Sequence, residues 1–203
     1  RGLGDVYKRQ VLLSACSSPK HEPMPLVNFT PSMEVTEVWS KGLSSAEGFL
    51  VPAVYDDMVF AAGGKTLTRL NARTGETEWS VSFDSPITGG VGSDGYVTAV
   101  GLWDGNLEVV DAEGKVSWEK KLTTELASPP VVSHGLVIAR TMDTRVSAFE
   151  ASSGELQWTY QKSQPALTVR LPTRMLAHDN FLLVGQPNGH IVILDIASGK
   201  PMF

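Results

Sequence analysis

The sequence predicts an all-β protein of the β-propeller class, built from four-stranded blades, and three observations carry that prediction. Tryptophans recur at Trp39, Trp79, Trp118 and Trp158, spaced 40, 39 and 40 residues apart. A glycine stands four residues before each later aromatic, at Gly75, Gly114, Gly154 and Gly199, the last of these preceding Phe203. The stretches between are short apolar runs broken by Gly, Asp and Asn, with no sustained 3.6-residue periodicity. A tandem unit of about 40 residues holding four short strands is the mark of a propeller blade. A β-sandwich competes, but it has no need of so regular a period. The repeats fall near 40–79, 80–118, 119–158 and 159–203, within a partial propeller over 33–203.

In chain order, the first repeat opens with "VPAVYDDMVFAA": a strand, a polar break and a second strand. Asp56-Asp57 fills the break, where Asp favours turns, so a solvated turn outweighs acid–base use of the pair. "GGK" at 63–65 then turns the chain into "LTRLNA". The second repeat runs through "GGVGSDGYVTAV", "DGN" at 104–106 and "LEVVDA". The third runs through "SPPVVSHGLVIAR", "DTR" at 143–145 and "VSAFEA". The fourth runs through "TRMLAHDNFLLVG", "NGH" at 188–190 and "IVILDI". Asp-Gly and Asn-Gly predict two-residue hairpin turns with positive φ at both central residues. Each repeat closes on a Gly that makes the turn before the last strand, where positive φ is free only for Gly. The Trp that follows lies on that last strand, facing the next blade. One flat side chain per blade fills the wedge between neighbouring sheets, so these Gly and Trp residues are expected to dock blade onto blade.

Composition narrows the function. The 203 residues are 42% apolar and 19% charged, which is globular. The net charge is −5 and no Lys/Arg run occurs, so nucleic acid is not an expected partner. No run of about 18 apolar residues is present to span a bilayer as a helix. His21, His134, His178 and His190 show no metal-ligand spacing. No nucleophile elbow, phosphate loop or dinucleotide fingerprint appears. "WD" at 103–104 and "GH" at 189–190 occur once each and do not follow the repeat. No cofactor, metal or catalytic residue is expected.

The N-terminus reads in three pieces. Residues 1–10 are expected to be a non-native leader, 11–16 a truncated signal, and 17–32 a tether with Pro19, Pro23, Pro25 and Pro31. Leu13-Ser14-Ala15-Cys16 resembles the lipobox of bacterial lipoproteins, whose cysteine carries a thioether-linked lipid. That resemblance implies lipid attachment at Cys16 and a membrane anchor. The residue alone also fits a small buried side chain or a thiol without a role.

"ARTGETEW" at 72–79 and "ASSGELQW" at 151–158 resemble the pyrroloquinoline-quinone (PQQ) type repeat, with "DAEGKVSW" at 111–118 one residue short. Finer features resemble the BamB family, lipoproteins of the outer-membrane β-barrel assembly machinery. These are the order of lipobox, tether and first Trp, the runs at 85–101 and 126–158, and "PALTVRLP" at 165–172. The resemblance implies an eight-bladed propeller, of which about four blades are here. It implies a non-enzymatic scaffold on the periplasmic face of a Gram-negative outer membrane. It also implies that Leu167, Val169 and Arg170 contact the periplasmic domains of the barrel-inserting subunit, BamA. The family often has Gly after that Arg; here Leu171-Pro172 follows.

Read by itself, 165–172 breaks the repeat, since Phe203 lies 45 residues beyond Trp158. Extra residues in repeat proteins form loops on one face, and two aliphatics with an Arg suit an interface. A structural insertion with Leu167 and Val169 in the core is the other reading. Edge pairing with unfolded outer membrane proteins is a further expectation for a sheet protein of this kind. Two other classes stay open. A PQQ-dependent dehydrogenase fragment needs a vicinal disulfide and calcium ligands. A ligand-sensing propeller ectodomain needs a membrane span or kinase domain in the same gene.

Overall fold

The computed structural model describes residues 24–25, 30, 32–44, 50–162 and 173–202. Of residues 1–36, those described form no helix or strand and are exposed. Residues 37–203 form a second unit, which carries every described strand.

The described residues are all-β, with no helix among them. The first sheet holds β1 (Ala53–Tyr55), β2 (Met58–Gly63), β3 (Thr66–Asn71) and β4 (Thr77–Ser82). The second holds β5 (Ile87–Ser93), β6 (Thr98–Leu102), β7 (Asn106–Val110) and β8 (Val116–Lys121). The third holds β9 (Val131–Ser133), β10 (Leu136–Arg140), β11 (Val146–Glu150) and β12 (Leu156–Tyr160). The fourth holds β13 (Leu176–His178), β14 (Phe181–Gly185) and β15 (Ile191–Asp195), and a bridge from Leu194 to Pro201 begins one more pairing. Every pairing is antiparallel between strands adjacent in sequence. Four meanders in series, each complete before the next begins, is the order of consecutive propeller blades.

Middle strands are mostly apolar because both their faces are covered. β6 and β10 are buried at every residue. The outer strand β8 is exposed except for half-buried Trp118, and its Lys120 and Lys121 discourage further pairing on that free edge. The core forms three layers, each between consecutive sheets. Phe60, Leu67, Ile87 and Val91 join the first and second; Leu107, Val109, Val137 and Phe149 join the second and third. Ile138, Val146, Leu182 and Leu194 join the third and fourth.

A register shift recurs beside the tryptophans. Arg69 pairs with Trp79 but Leu70 with Thr77; Val109 pairs with Trp118 but Val110 with Val116; Ala148 pairs with Trp158 but Phe149 with Leu156. Glu78, Ser117 and Gln157 are the extra residues. A bulge bends the strand and re-aims the side chain next to it, here the Trp.

The hairpins differ from the two-residue form expected. Three residues, Trp103–Gly105, separate β6 from β7, and of the Asp-Gly pair only Gly105 has positive φ, at 83°. Its N–H donates to Leu102 O at 2.9 Å. Likewise only Gly189 of Asn188-Gly189 is left-handed. The reason is that the side-chain oxygens of Asp104 and Asn188 accept the N–H groups of Asn106 and His190. This local bond closes the turn, so one left-handed glycine suffices.

Candidate functional site

The joints between sheets are built by one repeated contact. Trp39 Nε1 donates to Ala72 O at 2.9 Å, and Trp79 Nε1 to Ala112 O at 2.9 Å. Trp118 Nε1 donates to Ala151 O and Trp158 Nε1 to Ile196 O, each at 2.8 Å. Each indole also lies against the glycine of the turn it bonds. A Cβ on Gly75 would stand 2.6 Å from the Trp39 ring, and one on Gly114 2.7 Å from Trp79. Gly154 faces Trp118 and Gly199 faces Trp158 in the same way. The glycine therefore has two tasks: a left-handed turn and room for a ring. The shorter turn at 111–114 keeps both contacts by closing one residue earlier, with Gly114 N–H donating to Asp111 O. Trp39 makes its contact from a stretch that pairs with no strand among the described residues.

At the opposite ends of the strands lie the β10–β11 turn and the stretch leading into the fourth sheet. Arg140 ends β10 and is 4% exposed. Its Nη1 donates to Thr173 Oγ1 at 2.8 Å, while its Nε has no partner among the described residues. Burial lowers the guanidinium from its ordinary pKa. Nearby in sequence, burial would raise the Asp143 carboxyl, but hydrogen bonds from Thr141, Thr123 and the Arg145 amide, with the Arg145 charge, hold it below the usual carboxylate range.

The second sheet carries a carboxyl pair. Glu108 on β7 stands opposite Glu119 on β8. In the first and third sheets the same positions hold hydroxyl pairs, Thr68 with Ser80 and Ser147 with Thr159. Glu108 is 8% exposed and is pushed up to about 7 by burial, then by the Glu119 charge and hydrogen bond, then by Asp104 and Asp84. Between β8 and the third sheet lies a cleft of about 320 Å³ lined by Lys120, Lys121, Arg145, Ser147 and Phe149.

Cys16, Leu167, Val169, Arg170 and Phe203 lie outside the described residues. The described joint residues are brought into pairs: Trp39 meets Gly75 of the first sheet, and Trp79, Trp118 and Trp158 each meet the Gly of the next sheet. Asp56, of the Asp56-Asp57 pair, takes a left-handed turn conformation, and Asp57 accepts an ion pair from Arg73. Arg140 and Glu108 are not among the residues that the repeat pattern singles out. The available signal was a charged residue inside an apolar strand run, "GLVIAR" and "LEVV".

A family model described as "Outer membrane protein assembly factor BamB" matches residues 35–86 and 63–202. An outer membrane protein assembly factor BamB of Burkholderia pseudomallei is 36% identical over 95% of this chain and 52% of its own length. One from Bordetella pertussis is 32% identical over 93% of this chain and 50% of its own length. The chain thus spans about half the length of the curated relatives it matches. Among solved structures, BamB from Moraxella catarrhalis superposes with a TM-score of 0.67 at 28% identity, covering 76% of this chain and 47% of that one. A quinohemoprotein alcohol dehydrogenase from Pseudomonas putida HK5 has a TM-score of 0.60 at 17% identity, covering 80% of this chain and 34% of that one. That likeness shows the fold alone.

Proposed function

Because this chain belongs to the family of outer membrane protein assembly factor BamB, we propose that it is half of a scaffold that helps insert β-barrel proteins into the outer membrane. The observation that carries this is the family match across residues 35–202, which takes in all four sheets. The relatives are named as assembly factors, which favours binding over covalent chemistry. The latched joints suit that work: sheets held to each other by a ring, a hydrogen bond and an apolar layer present their connecting loops in fixed relation.

The finer parts of the proposal come from the sequence. Leu167, Val169 and Arg170 would contact the periplasmic domains of BamA through apolar burial and a multi-donor cation. Cys16 would carry the lipid that holds the protein to the periplasmic face of the outer membrane. Unfolded outer membrane proteins are a further partner, reached through free strand edges such as β12.

Co-purification of BamA with the full-length protein tests the contact. The Leu167→Ala/Arg170→Ala variant is expected to lose most of the BamA that the parent retains. Full retention would sink the assignment. Lipid labelling of the native precursor, expected for the parent and lost in Cys16→Ala, tests the anchor separately.

A further inference from the structure

The four latched joints differ at one position. The residue two beyond each latch Trp turns toward the next sheet: Lys41 after Trp39, Val81 after Trp79, Lys120 after Trp118 and Tyr160 after Trp158. Val81 and Tyr160 pack against the apolar layers of their joints. Lys41 and Lys120 instead line clefts, of about 240 and 320 Å³. Each shares its cleft with a hydroxyl pair of the facing sheet, Thr68 with Ser80 for Lys41 and Ser147 with Thr159 for Lys120. Within such a pair one hydroxyl donates to the other, which leaves one O–H to donate elsewhere. The combination of ammonium and hydroxyl donors therefore occurs twice. In the second sheet the same two positions hold Glu108 and Glu119, so the joint between the first and second sheets presents acceptors there instead.

The larger cleft, between the second and third sheets, is rich in donors. Lys120 and Arg145 bring charge to it, beside the hydroxyls of Ser147 and Thr159. Lys121 lines it too, but gives its ammonium to Asp104 O. Asp143 stands 3.8 Å from Arg145 Nε and accepts from Thr123 and Thr141, so it answers one of the two remaining charges. No Asp or Glu is among the described residues that line the cleft, in a chain whose net charge is −5. The other wall is apolar, with buried Ala139 and Phe149 and, at the mouth, Leu156, which is 54% exposed. Lys120 comes from β8 and Leu156 from β12, the outermost strands of their sheets. The mouth is thus a slot between two strand edges.

We propose that this cleft binds an acidic segment of a partner polypeptide. One carboxylate side chain reaches Lys120 and the Ser147–Thr159 pair, and an apolar side chain on the same face of the segment covers Leu156. Charge complementarity selects the occupant: donors and a net positive charge line the slot, and a carboxylate only accepts. An acyl chain is a poorer fit, because the apolar lining extends only over Leu122, Ala139, Phe149 and Leu156. A volume of about 320 Å³ lies at the small end of ligand sites and suits side chains entering from the edge. Lysines that deter a second copy of this chain from pairing with β8 attract an acidic strand to the same edge. The site needs none of the contact proposed for Leu167, Val169 and Arg170.

The test titrates full-length protein with a short, capped, fluorescent peptide in which every second residue is alternately Asp and Leu and the rest are Ser. Twins carry Asn or Lys in place of Asp. Saturable binding of the Asp peptide is expected, weakened about tenfold in the Asn twin and weakened further by salt. Lys120→Gln should weaken it about threefold, whereas Lys115→Gln, in the β7–β8 turn, should not change it. Leu156→Ser should weaken the Asp and Asn peptides alike. Lys120→Glu should reverse the preference, so that the Lys twin binds better than the Asp peptide, a gain that misfolding cannot produce. No saturable binding of the Asp peptide, equal binding of its Asn twin, or an unchanged preference in Lys120→Glu overturns the proposal. Binding to anionic phosphatidylglycerol vesicles that Lys120→Glu abolishes, without peptide binding, assigns the cleft to a membrane surface and overturns it as well. Each of these results leaves the proposed contact of BamA to be decided by its own co-purification.

Discussion

Replacing Glu108 by Gln should stabilise the protein at alkaline pH and leave it nearly unchanged in acid. Glu108 is 8% exposed, faces Glu119 across the strand pair, and has Asp104 and Asp84 as its other charged neighbours. Lys121 and Lys65 spend their ammonium groups on backbone oxygens, those of Asp104 and Asp84. The folded chain therefore binds the Glu108 proton more tightly than the unfolded chain, moving its titration from 4.5 to about 7. A carboxyl raised in this way contributes stability that is complete below 4.5 and is lost as pH rises through about 7. At about 1.4 kcal/mol per tenfold change in proton affinity, the ionised side chain costs the fold about 3 kcal/mol at pH ~8. Gln keeps the shape and a donor but never ionises. Thermal melts of the full-length parent and Glu108→Gln should thus differ by about 3–5 °C at pH ~8 and converge near pH ~4. A difference that does not change with pH, or a Gln variant that is less stable at pH ~8, would refute the reasoning.

Further tests address the joints and the loop ends. Trp118→Ala, which empties the joint between the second and third sheets and orphans Ala151 O, should cost about 3–5 kcal/mol in denaturant titration. Gly154→Ala and Gly135→Ala both place a side chain at φ 71°, but only Gly154 lies against a ring, that of Trp118. The first should cost clearly more than the second, whose penalty is backbone strain of about 1 kcal/mol. Equal melting temperatures would show that the ring contact is slack. Asp143→Asn should lower stability at pH ~6, and the gap should close as pH falls below the ordinary 3.8, because a depressed carboxyl loses its contribution through its folded titration.

The sequence made the sheets legible because each repeat solves the same packing problem with the same residues. A Trp needs a partner without a side chain, so Gly75, Gly114 and Gly154 answer Trp39, Trp79 and Trp118 of the preceding repeats. Strand interiors such as 136–139 read as apolar runs for the same reason: sheets on both sides leave no polar face. The hairpins at Asp104 and Asn188 depart from the Asp-Gly and Asn-Gly expectation because their side-chain oxygens supply a bond that relaxes the backbone-angle requirement. Arg140 and Glu108 were invisible for a different reason. Their meaning comes from register: only the pairing of Val146 with Arg140, set beside Leu107 with Gly101, shows a cation where the second sheet has a glycine. Only the strand pairing sets Glu108 against Glu119, residues separated in the chain by a turn.

The latches also carry a consequence for how the chain reaches its fold. Three of the four indole-to-carbonyl bonds close a span of 33 residues, and the fourth closes 38. None of these four joints waits for a distant part of the chain. Low sequence separation makes loop closure inexpensive in entropy and folding fast for a β-protein. A chain entering its compartment N-terminus first can set each joint as soon as the next hairpin arrives, with Trp39 closing on Ala72 before Trp79 has a partner. Assembly then advances as a zipper from one end, and an interruption leaves a finished stack behind a single open seam rather than a collapsed whole.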